Sequence, residues 1–389
     1  MDTPHEANAI DIFKIAPSDV AHLARQVSIT PNPLSPYWGD GQEMSLGEPS
    51  QYLDAIMRSP HCVPITHALV APLVKIECRR GGSVTAPEHY QVLLSRSGGA
   101  VVAHMRSRDG EVLVLHFANA AIFVQWWLSI SASSASYASP PLFSEGEDLH
   151  VFLCLLHSID MYQRAYFESM LDYRPTLDET FDTLHFVDLF RRSLASRDWR
   201  WQIPTLLGVL PELEQWNIEL LEGHLERACA LGFLTRHEAK WAFGDRVRLM
   251  GTEVITSWLG STGAHASVMM DGNRADLSSL LLMPTAITNH LFTFLPMQEH
   301  GVTVSHHSYS TQEATNSILT WFAALYEAAE QTQAQPAFGH GEAGIVPPSP
   351  GRPVARRVDG AVSQVCGNCR AELHGDARFC PYCGTPVVG

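Results

Sequence analysis

Residues 92–130, VLLSRSGGAVVAHMRSRDGEVLVLHFANAAIFVQWWLSI, and residues 280–325, LLLMPTAITNHLFTFLPMQEHGVTVSHHSYSTQEATNSILTWFAAL, follow one plan. In each, apolar and polar residues alternate through short runs, the period of half-buried strands, before the spacing changes to that of a helix. Asp109-Gly110 and Gly301 supply the glycine that a tight turn between strands asks for. The closing helices carry Trp126 and Trp127 in the first stretch and Trp321 in the second, and the strands VLVLH and VTVSH match at their valines and terminal histidines. The plan predicts an α+β fold with a duplicated antiparallel sheet-plus-helix unit, two related sheets meeting in one body with a groove at their junction. Phe123 or Trp127 and Ile318 or Phe322 are expected to face inward.

Working outward, SISASSASYASPPLFSEGEDL (129–149) is rich in small and turn-forming residues and marks a seam. Beyond it, apolar residues at helical spacing predict a helix from Leu149 to Leu171, with Pro175 as its stop. FVDLFRRSLA, IPTLLGVLPEL and IELLEGHLERACALGFLTR then read as three helices. A hairpin from Trp241 to Met250, turning at Gly244-Asp245, would complete a winged-helix-like segment. The expected organisation is a first α+β unit (1–140), a connecting helix (141–175), the winged-helix-like segment with the second unit (176–330), a Pro/Gly-rich linker (331–364) and a C-terminal module (365–389).

Of the 389 residues 46% are hydrophobic and 17% charged, so most of the length can bury a core. The formal charge of −15 repels polyanions, which disfavours nucleic acid as a partner. The opening MDTPHEANAIDIF has no basic and apolar leader pattern, and the apolar stretch from Val112 to Ile130 is interrupted by His116, Asn119 and Gln125. The expectation is a cytoplasmic protein without a membrane segment, in which Cys62, Cys78, Cys154 and Cys229 are reduced thiols.

The other four cysteines carry specific chemistry. Cys366-Gly-Asn-Cys369 and Cys380-Pro-Tyr-Cys383 set two thiolate pairs on two turns, separated by a gap that suits a short hairpin. Four soft thiolates in a tetrahedron select zinc, and a closed Cys₄ shell leaves no open position for a nucleophile, so one structural Zn2+ is expected. The run CGNCRAELHGDARFCPYCGTPV (366–387) resembles the short zinc ribbons found at the ends of many prokaryotic proteins, with Gly367 where that family commonly has proline.

Elsewhere catalytic signatures are missing: there is no P-loop, H-E-x-x-H or G-x-S-x-G. His306-His307 on one strand point to opposite faces and do not chelate together. On the helix SIDMYQRAYFESML (158–171), Asp160, Arg164 and Glu168 stand at i, i+4 spacing and read as a solvated ladder. Tyr162, Arg164, Tyr166 and Glu168 together have the composition of a protein-binding surface. The expected function is a non-enzymatic adapter with a protein partner; the alternative is a nucleic-acid-associated regulator using the winged-helix-like segment and the ribbon. The order of helical unit, antiparallel strands and long helix, present twice, loosely resembles the cytosolic chaperones of the actinobacterial type VII secretion pathway, and that resemblance implies a protein-binding body.

Overall fold

The computed structural model describes residues 10–38, 47–81, 87–95, 100–106, 112–131, 134–143, 146–174, 176–177, 179–216, 218–258, 260–270, 273–297, 301–334, 364–365 and 372–373. The chain divides into two compact units, Met1–Gln335 and Pro336–Gly389. In the larger unit the first elements are β1 (Ile10–Ile15), α1 (Pro17–Val27), α2 (Leu53–Met57), α3 (Cys62–Val70), β2 (Val74–Gly81), β3 (Glu88–Leu94), β4 (Val101–Arg106), β5 (Val112–Phe117) and α4 (Ala120–Ile130). They are followed by β6 (Glu147–Asp148), α5 (Leu149–Leu171), β7 (Thr180–Phe181), α6 (Thr183–Ala195), α7 (Gln202–Val209), α8 (Glu222–Ala230), β8 (Leu234–His237), β9 (Lys240–Phe243) and α9 (Asp245–Ser257). The unit closes with β10 (Ser261–Met270), β11 (Asn273–Pro284), β12 (Asn289–Met297), β13 (Gly301–Tyr309) and α10 (Thr311–Ala334).

The expected pair of sheets is one ten-stranded antiparallel sheet, in the order β1-β5-β4-β3-β2-β10-β11-β12-β13-β6. β2 and β10 cause the difference: they pair antiparallel through Val74↔Val268 to Gly81↔Ser261, which closes the inner edge that each half would otherwise leave bare. Outward from that central ladder the order is the same in both directions. A meander of four strands ends in a helix, α4 or α10, and the strand that precedes each half's helices closes the rim, β1 on β5 and β6 on β13.

Alternation sorts the residues between the two faces. On one, α4 and α10 cover Val92, Val101 and Leu115 from the first half and Leu280, Leu282 and Leu291 from the second. Phe123, Trp127, Ile318 and Phe322 are all buried there as expected, and the Phe123 and Phe322 rings meet at 5.5 Å. The opposite face holds two separate cores. α1 and α3 pack Val20, Leu23, Ile65 and Leu69 on Leu93, Val102 and Val114, and α5 to α9 pack on Leu281, Phe292 and Val304. Between those cores runs a buried polar seam with Lys75 and Glu77 on β2 and His265 on β10.

The expected hairpin from Trp241 to Met250 is a correction. β8 and β9 pair with each other, β9 also takes β7, and their turn lies at Glu238-Ala239. Gly244 sits at the N-cap of α9, so residues 245–250 are helical. Glycine followed by aspartate suits a hairpin turn and a helix start equally, and here the helix wins because Val247, Met250 and Val254 find buried positions at helical spacing.

Candidate functional site

α5 is the axis of the second half. Asp148 caps its start by accepting the backbone N–H of His150 at 2.7 Å, and every residue from Val151 to Gln163 is buried. A helix buried on all sides has no solvated ladder in that stretch, which overturns the expected row of charges. Asp160 points inward and accepts backbone N–H groups at the start of α7. Tyr162 is a core residue, not a partner-facing one: its ring stands edge-on to Phe243 at 5.5 Å and lies over Gly251, where a side chain on α9 would collide with it.

The last turns of α5 emerge from the core. Arg164 is half-buried with its guanidinium 4.2 Å above the Trp201 ring, Tyr166 is half-buried, and Glu168 is exposed. Of the four residues expected to meet a partner, Arg164 and Glu168 line a cleft of about 300 Å³ together with Met161, Arg174, Phe181 and His185.

Beside that cleft the helix carries Phe167, Met170 and Leu171, with Tyr173 just past its end and Leu184 on α6, between 44% exposed at Phe167 and 94% at Tyr173. Phe167, Met170 and Leu171 share one helix face, adjacent to Arg164. Tyr173 holds φ 54°, the left-handed position at which glycine commonly closes a helix. An aromatic there costs roughly 1–2 kcal/mol and still projects into water. The i, i+3, i+4 spacing of this row was legible, but its exposure was not, because nothing local marks where α5 leaves the core.

Three arginines of the segment following α6 are held by neighbours within the unit. Arg248 pairs with Glu179 at 2.6 Å and Asp245 at 3.1 Å, and Arg246 donates to the Leu142 carbonyl at 2.5 Å. Arg236 lies over Trp241 and faces Glu222 at 3.8 Å.

Histidines form two buried arrays that sequence reading missed, since their partners are distant along the chain. The backbone N–H of Leu142 donates to His306 Nδ1 at 2.9 Å, which leaves the proton on Nε2 to reach His290 Nδ1 at 3.1 Å. His290 Nε2 then faces Glu253 at 3.5 Å. Burial, then the neighbouring His290 and His307, push His306 well below its ordinary range, so it stays neutral. On the seam, His265 Nδ1 lies 2.8 Å from Ser279 Oγ while its Nε2 lies 3.1 Å from Asp276. His307, in contrast, is exposed, as expected for adjacent strand residues.

In the smaller unit a two-stranded ladder pairs β14 (Gln364–Val365) with β15 (Glu372–Leu373), so the strands flank the first cysteine pair in sequence. Cys366, Cys369, Cys380 and Cys383 lie outside the described residues. A family model described as a zinc-ribbon domain matches residues 365–387, the stretch that contains all four. No curated protein matches the chain. Among the described residues no helix is long and apolar enough to cross a membrane. Cys78 and Cys154 are buried free thiols, and Cys62 and Cys229 half-buried ones.

Proposed function

We propose that this protein is a non-enzymatic adapter or chaperone-like protein that holds a protein partner at the exposed end of α5, with the zinc ribbon as a second recognition module. One observation carries the reading: Phe167, Met170 and Leu171 form an exposed apolar face at the end of α5, and the same turns carry Arg164 and Glu168, charges of both signs that line a cleft. Apolar side chains clustered on a surface and rimmed by charge are the composition of a protein interface. The likeness to type VII secretion chaperones rests only on the twice-used order of strands and helix, which by itself fixes no function.

The electrostatics favour protein over nucleic acid. Arg236, Arg246 and Arg248 are engaged by carboxylates, a carbonyl and an indole ring, and the chain carries a charge of −15. An acyl-transfer role for Ser279, His265 and Asp276 is disfavoured by location: Ser279 lies between β10 and β12, where ladder pairing occupies the backbone N–H groups that an oxyanion needs.

The test is site-specific photo-crosslinking in host cell extract. A crosslinker at Leu171 or Tyr173 should give a discrete protein adduct that a crosslinker at Ile12, an exposed residue on β1, does not. Glu168→Lys, at an exposed position, should weaken that adduct without shifting the melting temperature. Tight, steeply salt-dependent association with mixed-sequence duplex DNA would favour the regulator reading instead.

A further inference from the structure

Three side chains at the β1 rim of the sheet converge without a role in the adapter reading. Asp11 on β1 and His116 on β5 are direct cross-strand partners, so their side chains rise from the same face. His61, at the N-cap of α3, lays its ring over that of His116, with centroids 4.4 Å apart and planes at 26°. Asp11 Oδ2 then faces both rings, 3.5 Å from His116 Nδ1 and 3.9 Å from His61 Nε2, and one ligand atom from each of the three residues lies within 4.8 Å of the others.

We propose that Asp11, His61 and His116 form a second metal site, separate from the zinc ribbon, for a divalent cation of the zinc class. Around a tetrahedral ion with bonds of about 2.0–2.1 Å the ligand atoms stand ~3.3 Å apart. The observed separations are slightly larger, as in a site that an ion would draw together, and they exceed the 2.7–3.2 Å of a good hydrogen bond. Two imidazoles and one carboxylate form a borderline donor set, suited to Zn2+ or Co2+ rather than Ca2+ or Mg2+, and three protein ligands leave a position for solvent. Access is built in: His116 is 4% exposed and anchors the site from below, while His61 at 43% and Asp11 at 35% reach the surface.

A second trio, Asp148, His150 and His224, also brings its ligand atoms close, but its geometry already has an explanation. Asp148 Oδ1 caps α5 through the backbone N–H of His150 and bonds that ring at 2.8 Å, and His224 Nδ1 accepts the Leu221 N–H at 3.1 Å. The trio at the β1 rim has no such cap. A bound ion there would join β1, the outermost strand of its half, to the start of α3.

The experiment uses the full chain, first saturated with Zn2+ and dialysed, then counted for metal by mass spectrometry. Wild type should hold one equivalent more than Asp11→Asn and one more than His61→Ala, both at positions exposed enough to leave the fold intact. Titration with Co2+ separates the two sites spectroscopically. The ribbon's thiolates give intense sulfur-to-cobalt charge-transfer bands, whereas the Asp11 site adds only weak ligand-field bands, which the Asp11→Asn variant should lack. Added Zn2+ should also raise the melting temperature of the larger unit in wild type and not in Asp11→Asn. Equal metal content and identical cobalt spectra in wild type and both variants would overturn the proposal.

Discussion

The carboxylate of Asp160, midway along α5, accepts the backbone N–H of Gln202, the first residue of α7, at 2.6 Å. The next N–H, of Ile203, reaches the same carboxylate at 3.1 Å. α7 has no side-chain cap of its own at Trp201, so a residue 42 positions earlier in the chain supplies it. Complete burial pushes the Asp160 carboxyl up to about 7 against the pull of the two backbone donors. Asp160→Ala leaves both donors buried and unpaired and should cost about 2–4 kcal/mol in urea denaturation, with Asp160→Asn losing less because one acceptor oxygen remains. Unchanged stability in the alanine variant would refute the capping role.

Glu77 on the polar seam predicts an acid-sensitive body. Burial alone would raise its carboxyl, but hydrogen bonds from His89 and Lys75 outweigh it and hold the group at about 2, below its ordinary 4.5. A carboxylate depressed in the folded state binds fewer protons there than in the unfolded chain. Its stabilisation is therefore complete above pH 4.5 and is lost as pH falls from 4.5 to about 2. The loss should be on the order of 3 kcal/mol. Denaturation curves between pH 6 and pH 2.5 should fall more steeply for wild type than for Glu77→Gln, and parallel curves would count against it.

The two tryptophan helices should differ in their tolerance of truncation. Trp127 is 1% exposed, whereas Trp321 is only partly buried and anchors its ring N–H on Ser278 Oγ at 2.9 Å. Trp127→Ala should cost roughly 3–5 kcal/mol and Trp321→Ala less, measured by chemical denaturation. Equal losses would mean that the symmetry of the sheet extends to its packing.

For the ribbon, Cys380→Ser or Cys383→Ser should release its zinc and unfold residues 365–389. Metal binding supplies most of the folding free energy of so short a unit, on the order of 10 kcal/mol. Metal analysis and limited proteolysis at residue 365 and beyond should change together, while the melting of the larger unit holds.

How far the chain could be read in advance depended on how local the signal was. The bounds of α5, the strand and helix order in residues 92–130 and 280–325, and the four cysteines are written in short windows, by periodicity and fixed spacing. The single sheet was not legible, because β2 and β10 are paired across more than half the larger unit and neither strand names its partner. Asp160 and Tyr162 were misread as surface residues for the same reason: an i, i+4 row of charges looks solvated until α7 and α9 arrive to cover it. Asp11, His61 and His116 carry no spacing signal at all, since the ladder between β1 and β5 brings the first and last together.

The β2–β10 ladder also sets an order of events on the ribosome. When residues 10–130 have emerged, the first meander and α4 are complete, yet β2 still presents an unpaired edge rich in Val74, Ile76 and Cys78. Its partner begins at Ser261, about 180 residues after Gly81. At ~5–20 residues per second the roughly 130 residues from 131 to 260 keep the nascent half waiting about 7–26 s with an open strand beside other nascent chains. Slow synthesis through residues 131–260 therefore exposes this protein to intermolecular strand pairing, and its yield during expression should depend on translation speed and temperature more than the stability of the finished fold would suggest.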